Sequence, residues 1–217
     1  MPPRNARGRR ARNLTRPRPA REPYDRVLIV SEGIKTEPLY LREVVDVLKL
    51  SSANISITGA NGSAPITVVN HAINLFEQES ARGGQYDRVY CVLDQDSHAS
   101  YSAALQKLKS IRPRDLFYAI SSVPCFEYWV LLHFEYTTQA FVRTGKQTPC
   151  ESVITRVKKH LPEYSKGTGK LYDIIGDNTD VAIKRAEQAN RDGARAGTDN
   201  PSTDVGSLIQ YLRKIKA

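Results

Sequence analysis

RVLIVSEG at residues 26–33 and RVYCVLDQD at residues 88–96 are two short apolar runs that each end in acidic residues. Their length and their β-branched content predict buried parallel strands. In open α/β sheets the functional side chains gather at the carboxyl ends of such strands. We therefore expect Glu32, Asp94 and Asp96 to converge at one edge of a sheet.

Carboxylates held this close repel one another and raise their own pKa values unless a hard cation lies between them. In an extended strand Asp94 and Asp96 project from the same face, about 6.6 Å apart along the chain. We interpret these two aspartates as ligands of Mg²⁺ or Mn²⁺. Glu32 is either a further metal ligand or the general acid/base. The alternative is that all three acids only cap the helices that follow them.

The surrounding pattern predicts an α/β fold with the order β-α-β-α-β-α-β. The strands are expected at residues 26–31, 55–58, 88–93 and 116–121, and the helices between them at 37–50, 65–79 and 100–110. Beyond Pro124 the chain changes to helical stretches at 126–134, 151–160, 181–191 and 203–215. We expect these helices to cover one face or edge of the mainly parallel sheet.

The domain prediction follows from this order of elements. Residues 23–217 form a single domain, with a core at about 25–123 and a C-terminal helical extension at about 124–217. Residues 1–22 form a disordered Arg-rich tail, because they contain almost no large apolar residue.

The tail also accounts for most of the net charge of +9. Eight of the 32 basic residues are arginines between Arg4 and Arg21, which leaves 24 basic against 23 acidic residues elsewhere. The tail, including Arg9 and Arg10, is either an arm that contacts phosphate backbones or a solubilising extension. A third alternative is a mispredicted start of the chain.

Composition limits the location and the class of the protein. No apolar run approaches the roughly 20 residues of a membrane span, and no secretory signal is recognisable. We therefore predict a cytoplasmic protein without a membrane partner. The three cysteines, Cys91, Cys125 and Cys150, are predicted to be reduced structural thiols. Their spacing does not match a zinc-binding motif.

Four motifs together resemble the RloB-like proteins of bacterial and archaeal defence loci. They are EGIKTEPLY at 32–40, DQDS at 94–97, PCFEYWVLLHFE at 124–135 and NPST at 200–203. The Glu-Gly and Asp-x-Asp motifs also resemble the Toprim fold, the catalytic module of topoisomerases, bacterial primases and OLD-family nucleases. The resemblance implies a Toprim-like fold, a metal-dependent nuclease site and often a partner ATPase of the AAA or ABC type.

The resemblance also suggests further site residues. Glu37 is similar to a second acid of the OLD-family site, although it lies one residue farther from the first; it is otherwise an acid favoured at a helix N-terminus. Glu127 begins an apolar helix, so it either faces the site or forms a salt bridge with a late lysine or arginine. Lys35 and His98 are candidates for contact with a phosphate, and Lys35 is alternatively an exposed solubilising lysine.

Three other polar residues are interpreted as structural or solvent-exposed residues. His133 fits a core histidine better than a metal ligand. Lys166 and Lys170 lie in a glycine-flanked loop and are interpreted as solvated lysines, the alternative being cations that neutralise transition-state charge.

Two functions are compatible with this sequence. The first is a Mg²⁺- or Mn²⁺-dependent nuclease that hydrolyses phosphodiester bonds in DNA or RNA, the effector of an anti-phage defence system. The second is a non-catalytic, metal-binding Toprim module that recruits nucleic acid to a partner ATPase. A strand-passage enzyme that uses a tyrosine nucleophile is excluded, because 217 residues leave no room for its nucleophile domain. The oligomeric state is not predicted.

Overall fold

The computed structural model describes residues 24–215 with the exception of positions 53, 61, 63 and 96–98. The predicted Arg-rich tail therefore lies outside the described residues. The same holds for four predicted site residues: Arg9, Arg10, Asp96 and His98.

The apolar runs of the sequence form the strands of one sheet. The strands are β1 (Val27–Ser31), β2 (Ile55–Gly59), β3 (Arg88–Asp94), β4 (Phe117–Val123) and β5 (Ser202–Thr203). Their order in the sheet is β2-β1-β3-β4-β5, with β1 to β4 parallel and β5 antiparallel to β4. The two acidic runs of the sequence are therefore neighbouring strands, and Ser31 of β1 pairs with Val92 of β3.

Helices cover both faces of this sheet. They are α1 (Thr36–Val47), α2 (Pro65–Ala81), α3 (Tyr101–Ser110), α4 (Glu127–Leu132), α5 (Pro149–His160), α6 (Leu171–Ile175), α7 (Thr179–Ala196) and α8 (Val205–Lys214). A 3₁₀ turn (Gly176–Asn178) separates α6 from α7. The fold is thus α/β with a mainly parallel sheet and a helical C-terminal region, as the sequence predicts, and it is consistent with a Toprim-like fold.

The core has two layers because side chains alternate between the faces of each strand. Val27 and Ile29 point to the layer that contains α1 and α4 to α8. Leu28 and Val30 point to the layer that contains α2 and α3. Both layers consist of fully buried apolar side chains, so the sheet is covered on each face, as parallel sheets usually are.

In the larger layer, which contains α1 and α4 to α8, the central residue is Trp129 of α4, which is completely buried. Its indole nitrogen donates a hydrogen bond of 2.9 Å to the hydroxyl group of Tyr40 in α1. Tyr40 in turn packs edge to face against Phe126 and Tyr172. This network fixes α4 against α1, and both helices begin at the carboxyl edge of the sheet.

The elements that the sequence analysis did not predict are small. β5 has two residues, and α6 has five. The start of α5 was predicted two residues late: Thr148 and Glu151 form a capping box, so the helix begins at Pro149. Among the described residues, no helix combines the length and the apolar composition that crossing a bilayer requires.

His133 is a buried core residue, as the sequence analysis expected, and is 2% exposed. Its Nδ1 lies 3.0 Å from the carbonyl oxygen of Trp129, so Nδ1 carries the proton. Nε2 is buried and has no hydrogen-bond partner among the described residues. Burial lowers the pKa of His133 to about 4.

We expect His133 to make the protein less stable in acid. Between pH about 6.5 and about 4 the unfolded chain binds a proton at this imidazole and the folded chain does not, so stability is lost as the pH falls through this window. The loss is on the order of 3 kcal/mol at most. His133→Gln retains a donor for the carbonyl of Trp129, and urea titrations at pH 7 and pH 5 should differ less for this variant than for the parent. Equal pH dependence of stability in the parent and in His133→Gln would contradict the prediction. His71→Gln on α2 is the matched control and should have the pH dependence of the parent.

Candidate metal and phosphodiester site

Glu32 and Asp94 lie side by side at the carboxyl edge of the sheet. Asp94 is the last residue of β3, and Glu32 follows the last residue of β1. The backbone N–H of Asp94 donates a hydrogen bond of 3.1 Å to Oε1 of Glu32. The structure therefore brings together these two predicted ligands, which are 62 residues apart in the sequence.

A close backbone contact holds the segment that carries Glu32. The hydroxyl group of Ser31 donates to the carbonyl oxygen of Gly33, and the N–H of Ala60 donates to the carbonyl oxygen of Ser31. At the end of β2, a Cβ atom added to Gly59 would lie 2.4 Å from the carbonyl oxygen of Gly33. Only glycine leaves room for this approach, so Gly59 sets the path of the chain past Glu32.

Glu37 lies in the first turn of α1 and its carboxylate turns back toward Gly33. A Cβ atom added to Gly33 would be 3.0 Å from Oε2 of Glu37. Burial raises the pKa of Glu37, and the negative charge of Glu127 raises it further. A hydrogen bond from the backbone N–H of Glu37 to its own carboxylate lowers the pKa and so opposes both effects. Glu37 is therefore close to the other acids and, at a given pH, holds its proton more readily than an exposed glutamate does.

Glu127 is the first residue of α4 and is 1% exposed. Its Oε1 accepts a hydrogen bond of 3.2 Å from the hydroxyl group of Tyr164 and lies 3.5 Å from Nζ of Lys166. From the sequence, Glu127 either faces the site or forms a salt bridge with a late basic residue. The structure places it in both relationships, because Lys166 lies at the same acidic cluster.

Asp94 is the most strongly perturbed acid of this cluster. It is 9% exposed, and burial raises its pKa well above the usual range, with further contributions from the negative charges of Glu37, Glu127 and Glu32. A hydrogen bond from the backbone N–H of Phe126 opposes the shift. Oδ1 of Asp94 is buried and has no hydrogen-bond partner among the described residues.

We refer to Glu32, Glu37, Asp94 and Glu127 as the acidic cluster. Its oxygen donors fit a hard divalent cation such as Mg²⁺ or Mn²⁺, which accepts carboxylate ligands and tolerates incomplete protein coordination. The unpartnered oxygen of Asp94 is the strongest sign of this fit, because a buried carboxylate oxygen normally has a partner. Glu32 and Asp94, joined by the hydrogen bond from the backbone N–H of Asp94 to the carboxylate of Glu32, are the residues best placed to hold such a cation.

The interpretation of Lys166 as a solvated loop lysine is correct in part: its side chain is 56% exposed, but its Nζ also pairs with Glu127. Burial alone would lower its pKa, but the carboxylates of Glu127, Asp94 and Glu37 outweigh burial and raise the pKa. A Lys166 ammonium is thus held at the acidic cluster. Nothing in the local sequence indicates this pairing, because Glu127 and Lys166 are 39 residues apart.

The loop that carries Lys166 is fastened to α1. The N–H of Gly167 donates a hydrogen bond of 2.9 Å to the hydroxyl group of Thr36. Gly167 has a φ of 82°, a left-handed conformation that favours glycine, and a Cβ atom there would approach the side chain of Lys35 to 3.0 Å. The N–H groups of Lys170 and Tyr172 both donate to Glu43. These contacts position Lys166 beside the first turn of α1.

Of the predicted nucleic-acid contacts, the structure describes Lys35 alone. Lys35 immediately precedes α1, is exposed, and lies against the Gly167 loop at the rim of the acidic cluster. This position is compatible with both alternatives given for it. Its proposed contact with phosphate stays a prediction, as do the roles of Asp96, His98, Arg9 and Arg10.

The cysteines differ from the prediction of three reduced thiols. Cys125 and Cys150 form a disulfide bond, and Cys91 is a free, buried thiol. The prediction was wrong for this pair, because an odd number of cysteines in apolar or helical segments does not show which of them meet in the folded chain. The loop before α4 and the first turn of α5 bring the two sulfurs together across 25 residues, next to Glu127.

Comparison with known protein families agrees with this fold and these motifs. The model of a family described as RloB-like protein matches residues 27–212, which is most of the chain. The chain belongs to the RloB-like protein family. No curated protein matches the chain at a significant level. The match to the RloB-like family includes every described member of the acidic cluster as well as Lys166.

Proposed function

We propose that this protein is a Mg²⁺- or Mn²⁺-dependent nuclease that hydrolyses phosphodiester bonds in DNA or RNA. The observation that carries the proposal is the buried Oδ1 of Asp94 in the acidic cluster, which has no hydrogen-bond partner in the part of the chain that the structure describes. Crowded buried carboxylates are costly when nothing neutralises them. An arrangement of this kind at the carboxyl edge of a parallel sheet supports a binding site rather than a structural role.

Glu32 and Asp94 are the proposed metal ligands among the described residues, and Asp96 is proposed as a third. When bound, a divalent cation at this position neutralises phosphate charge and makes water a better nucleophile. The remaining groups act around it. Glu37, whose raised pKa lets it hold or release a proton closer to neutral pH, is proposed as the general acid/base.

Lys166 and Glu127 are proposed to act as a pair. The ammonium of Lys166 is positioned to balance negative charge that develops on a phosphate in the transition state. Glu127 is almost completely buried, so we assign it the role of orienting Lys166 through their 3.5 Å ion pair. Lys35, exposed at the rim, is proposed to contact the nucleic-acid backbone.

Membership of the RloB-like family supports further parts of the proposal. We propose that the protein acts in the cytoplasm as an effector of anti-phage defence. An ATPase of the AAA or ABC type is the proposed protein partner. The Arg-rich tail, through Arg9 and Arg10 among others, is proposed to add salt-dependent affinity for nucleic acid.

A second candidate function is a metal-binding module that recruits nucleic acid without cutting it. The ion pair of Lys166 with Glu127 favours this alternative, because it supplies positive charge to the acidic cluster without a cation. In this case catalysis would reside in the partner ATPase complex.

A cleavage assay separates the two functions. The purified protein is incubated with Mn²⁺ and plasmid DNA, single-stranded DNA or total tRNA, and Glu32→Gln is compared with the parent. Glu32→Gln keeps an acceptor for the N–H of Asp94 but removes a ligand charge. Because a bound metal ion contributes several kcal/mol to the transition state, we expect the cleavage rate to fall about 10²- to 10⁴-fold.

Glu77→Gln, which changes an exposed acid of α2, is the control and should cut as the parent does. Equal cleavage by Glu32→Gln and the parent would contradict the proposed site. Cation binding without cleavage of any substrate, in the presence of the partner ATPase as well, would favour the recruiting module.

A further inference from the structure

The disulfide of Cys125 and Cys150 lies beside the acidic cluster. Cys125 is two residues before Glu127 and one before Phe126, whose backbone N–H opposes the rise in the pKa of Asp94. Cys150 is in the first turn of α5, and both sulfurs are buried. The disulfide therefore ties the segment that contacts two acids of the cluster to a neighbouring helix.

The second oxygen of Glu127 faces this disulfide. Sγ of Cys150 lies 3.3 Å from Oε2, a distance at which a thiol donates a hydrogen bond to a carboxylate. A disulfide sulfur has no hydrogen to donate. The same position of Cys150 therefore supplies a donor to Glu127 in the reduced protein and none in the oxidised protein.

This difference matters because Glu127 is 1% exposed. Its Oε1 already accepts from Tyr164 and pairs with Lys166, and the carboxylate is almost completely shielded from solvent. A buried oxygen that loses its donor incurs a desolvation cost, and a hydrogen bond to a charged group stabilises more than a neutral one. The hydrogen bonding of the Glu127 carboxylate is therefore coupled to the redox state of the two cysteines.

We propose that Cys125 and Cys150 are a redox modification site whose state is coupled to Glu127 and through it to the acidic cluster. In reduction, a dithiol attacks one sulfur, the bond between the cysteine sulfurs breaks, and Cys125 and Cys150 each gain a proton. The dithiol is oxidised to a cyclic disulfide. The reduced state gains the hydrogen bond from Cys150 to Glu127, and the oxidised state leaves Oε2 without that donor.

The consequence for the cation rests on the proposed function. In the oxidised protein the disulfide holds the Phe126 and Glu127 segment in place, and no thiol hydrogen bond at Oε2 offsets the negative charge of Glu127. We therefore expect the oxidised protein to bind Mn²⁺ about threefold to tenfold more tightly than the reduced protein. Cys125→Ala retains the Cys150 thiol and cannot form the disulfide, so it should bind Mn²⁺ as the reduced parent does, with or without oxidant.

The test of the coupling itself needs no metal. The full-length protein is equilibrated with mixtures of reduced and oxidised dithiothreitol, its free thiols are alkylated, and the fraction of Cys125–Cys150 disulfide is measured by mass spectrometry. Glu127→Gln replaces the charged acceptor by a weaker neutral one, which disfavours the reduced state. We expect the variant to need about threefold to tenfold more reductant than the parent at the midpoint.

Glu135→Gln is the matched control, because Glu135 pairs with Arg156 and lies outside the acidic cluster. It should have the midpoint of the parent. An unchanged midpoint in Glu127→Gln, or a disulfide that never forms under oxidising conditions, would overturn the coupling. If the midpoint shifts and neither redox state binds Mn²⁺, the coupling stands and the proposed metal function fails.

Discussion

Asp94→Asn is expected to raise the melting temperature of the metal-free protein. Burial and three neighbouring acids raise the pKa of Asp94 in the folded chain, whereas the unfolded chain ionises it near pH 4. Above that pH the folded state has to bury a charge or keep a proton that the unfolded state has released. The stability contributed by Asp94 is therefore lost as the pH rises from about 4 toward its folded pKa.

Asparagine has nearly the same shape as aspartate and no charge to bury. Because each kcal/mol corresponds to about 2–4 °C in a chain of this size, we expect an increase of at least about 2 °C at pH 7.5, measured by differential scanning fluorimetry with a chelator present. The increase should shrink as the pH is lowered toward 4, since Asp94 is then protonated in both states.

The same variant should lose the response to Mn²⁺. A ligand at 100 times its dissociation constant stabilises the folded state by about 2.7 kcal/mol, so the parent should gain roughly 5–10 °C with saturating Mn²⁺. Asp94→Asn should gain almost nothing. Asp46→Asn, at an exposed position of α1, changes the net charge equally and should retain the full gain. A lower metal-free melting temperature in Asp94→Asn, or an undiminished gain with Mn²⁺, would show that the acidic cluster is not a cation site.

The sheet and the contact of Glu32 with Asp94 could be predicted because local pattern and topology agree. Glu32 follows β1 and Asp94 ends β3, both strands have mainly apolar residues, and parallel strands bring their carboxyl ends to one edge. The β-α-β-α-β-α-β order then leaves little choice in how the chain connects. The capping box of Thr148 and Glu151 was also readable from the sequence, and it marks the true start of α5.

Lys166 and the disulfide could not be predicted in the same way. Both depend on how α4, α5 and the Gly167 loop pack beyond the sheet, and this packing leaves no periodic signal. Glu127 was recognisable as an acid in apolar surroundings that needs a partner. Its partners, Tyr164 and Lys166, lie 37 and 39 residues away, and tertiary structure alone brings them to Glu127.

Gly59→Ala is expected to damage the site without changing any of its side chains. The added methyl group would lie 2.4 Å from the carbonyl oxygen of Gly33 and 2.9 Å from Cα of Ile34. Both are backbone atoms, so no side-chain rotation relieves the clash, and the segment after Glu32 has to move. Overpacking of this kind costs about 1–3 kcal/mol, which urea unfolding measures directly.

The displacement of this segment should also weaken Mn²⁺ binding and slow cleavage. The N–H of Asp94 contacts Glu32 at 3.1 Å, and a shift of the chain near Gly33 pulls Glu32 away from it. A misplacement of about 1 Å in a catalytic site lowers the rate on the order of 10²-fold, so we expect weaker Mn²⁺ binding and a loss of cleavage of that size. This loss should persist at temperatures where the variant is fully folded.

Gly169→Ala is the matched control for this variant. Gly169 is in the same loop as Lys166, and no heavy atom of the described residues lies within 4 Å of a Cβ added there. An alanine there restricts the unfolded chain and should leave stability equal or raise it by about 0.4–1 kcal/mol. If Gly59→Ala unfolds and binds Mn²⁺ as Gly169→Ala does, the end of β2 does not position Glu32. The acidic cluster would then depend on β1 and β3 alone.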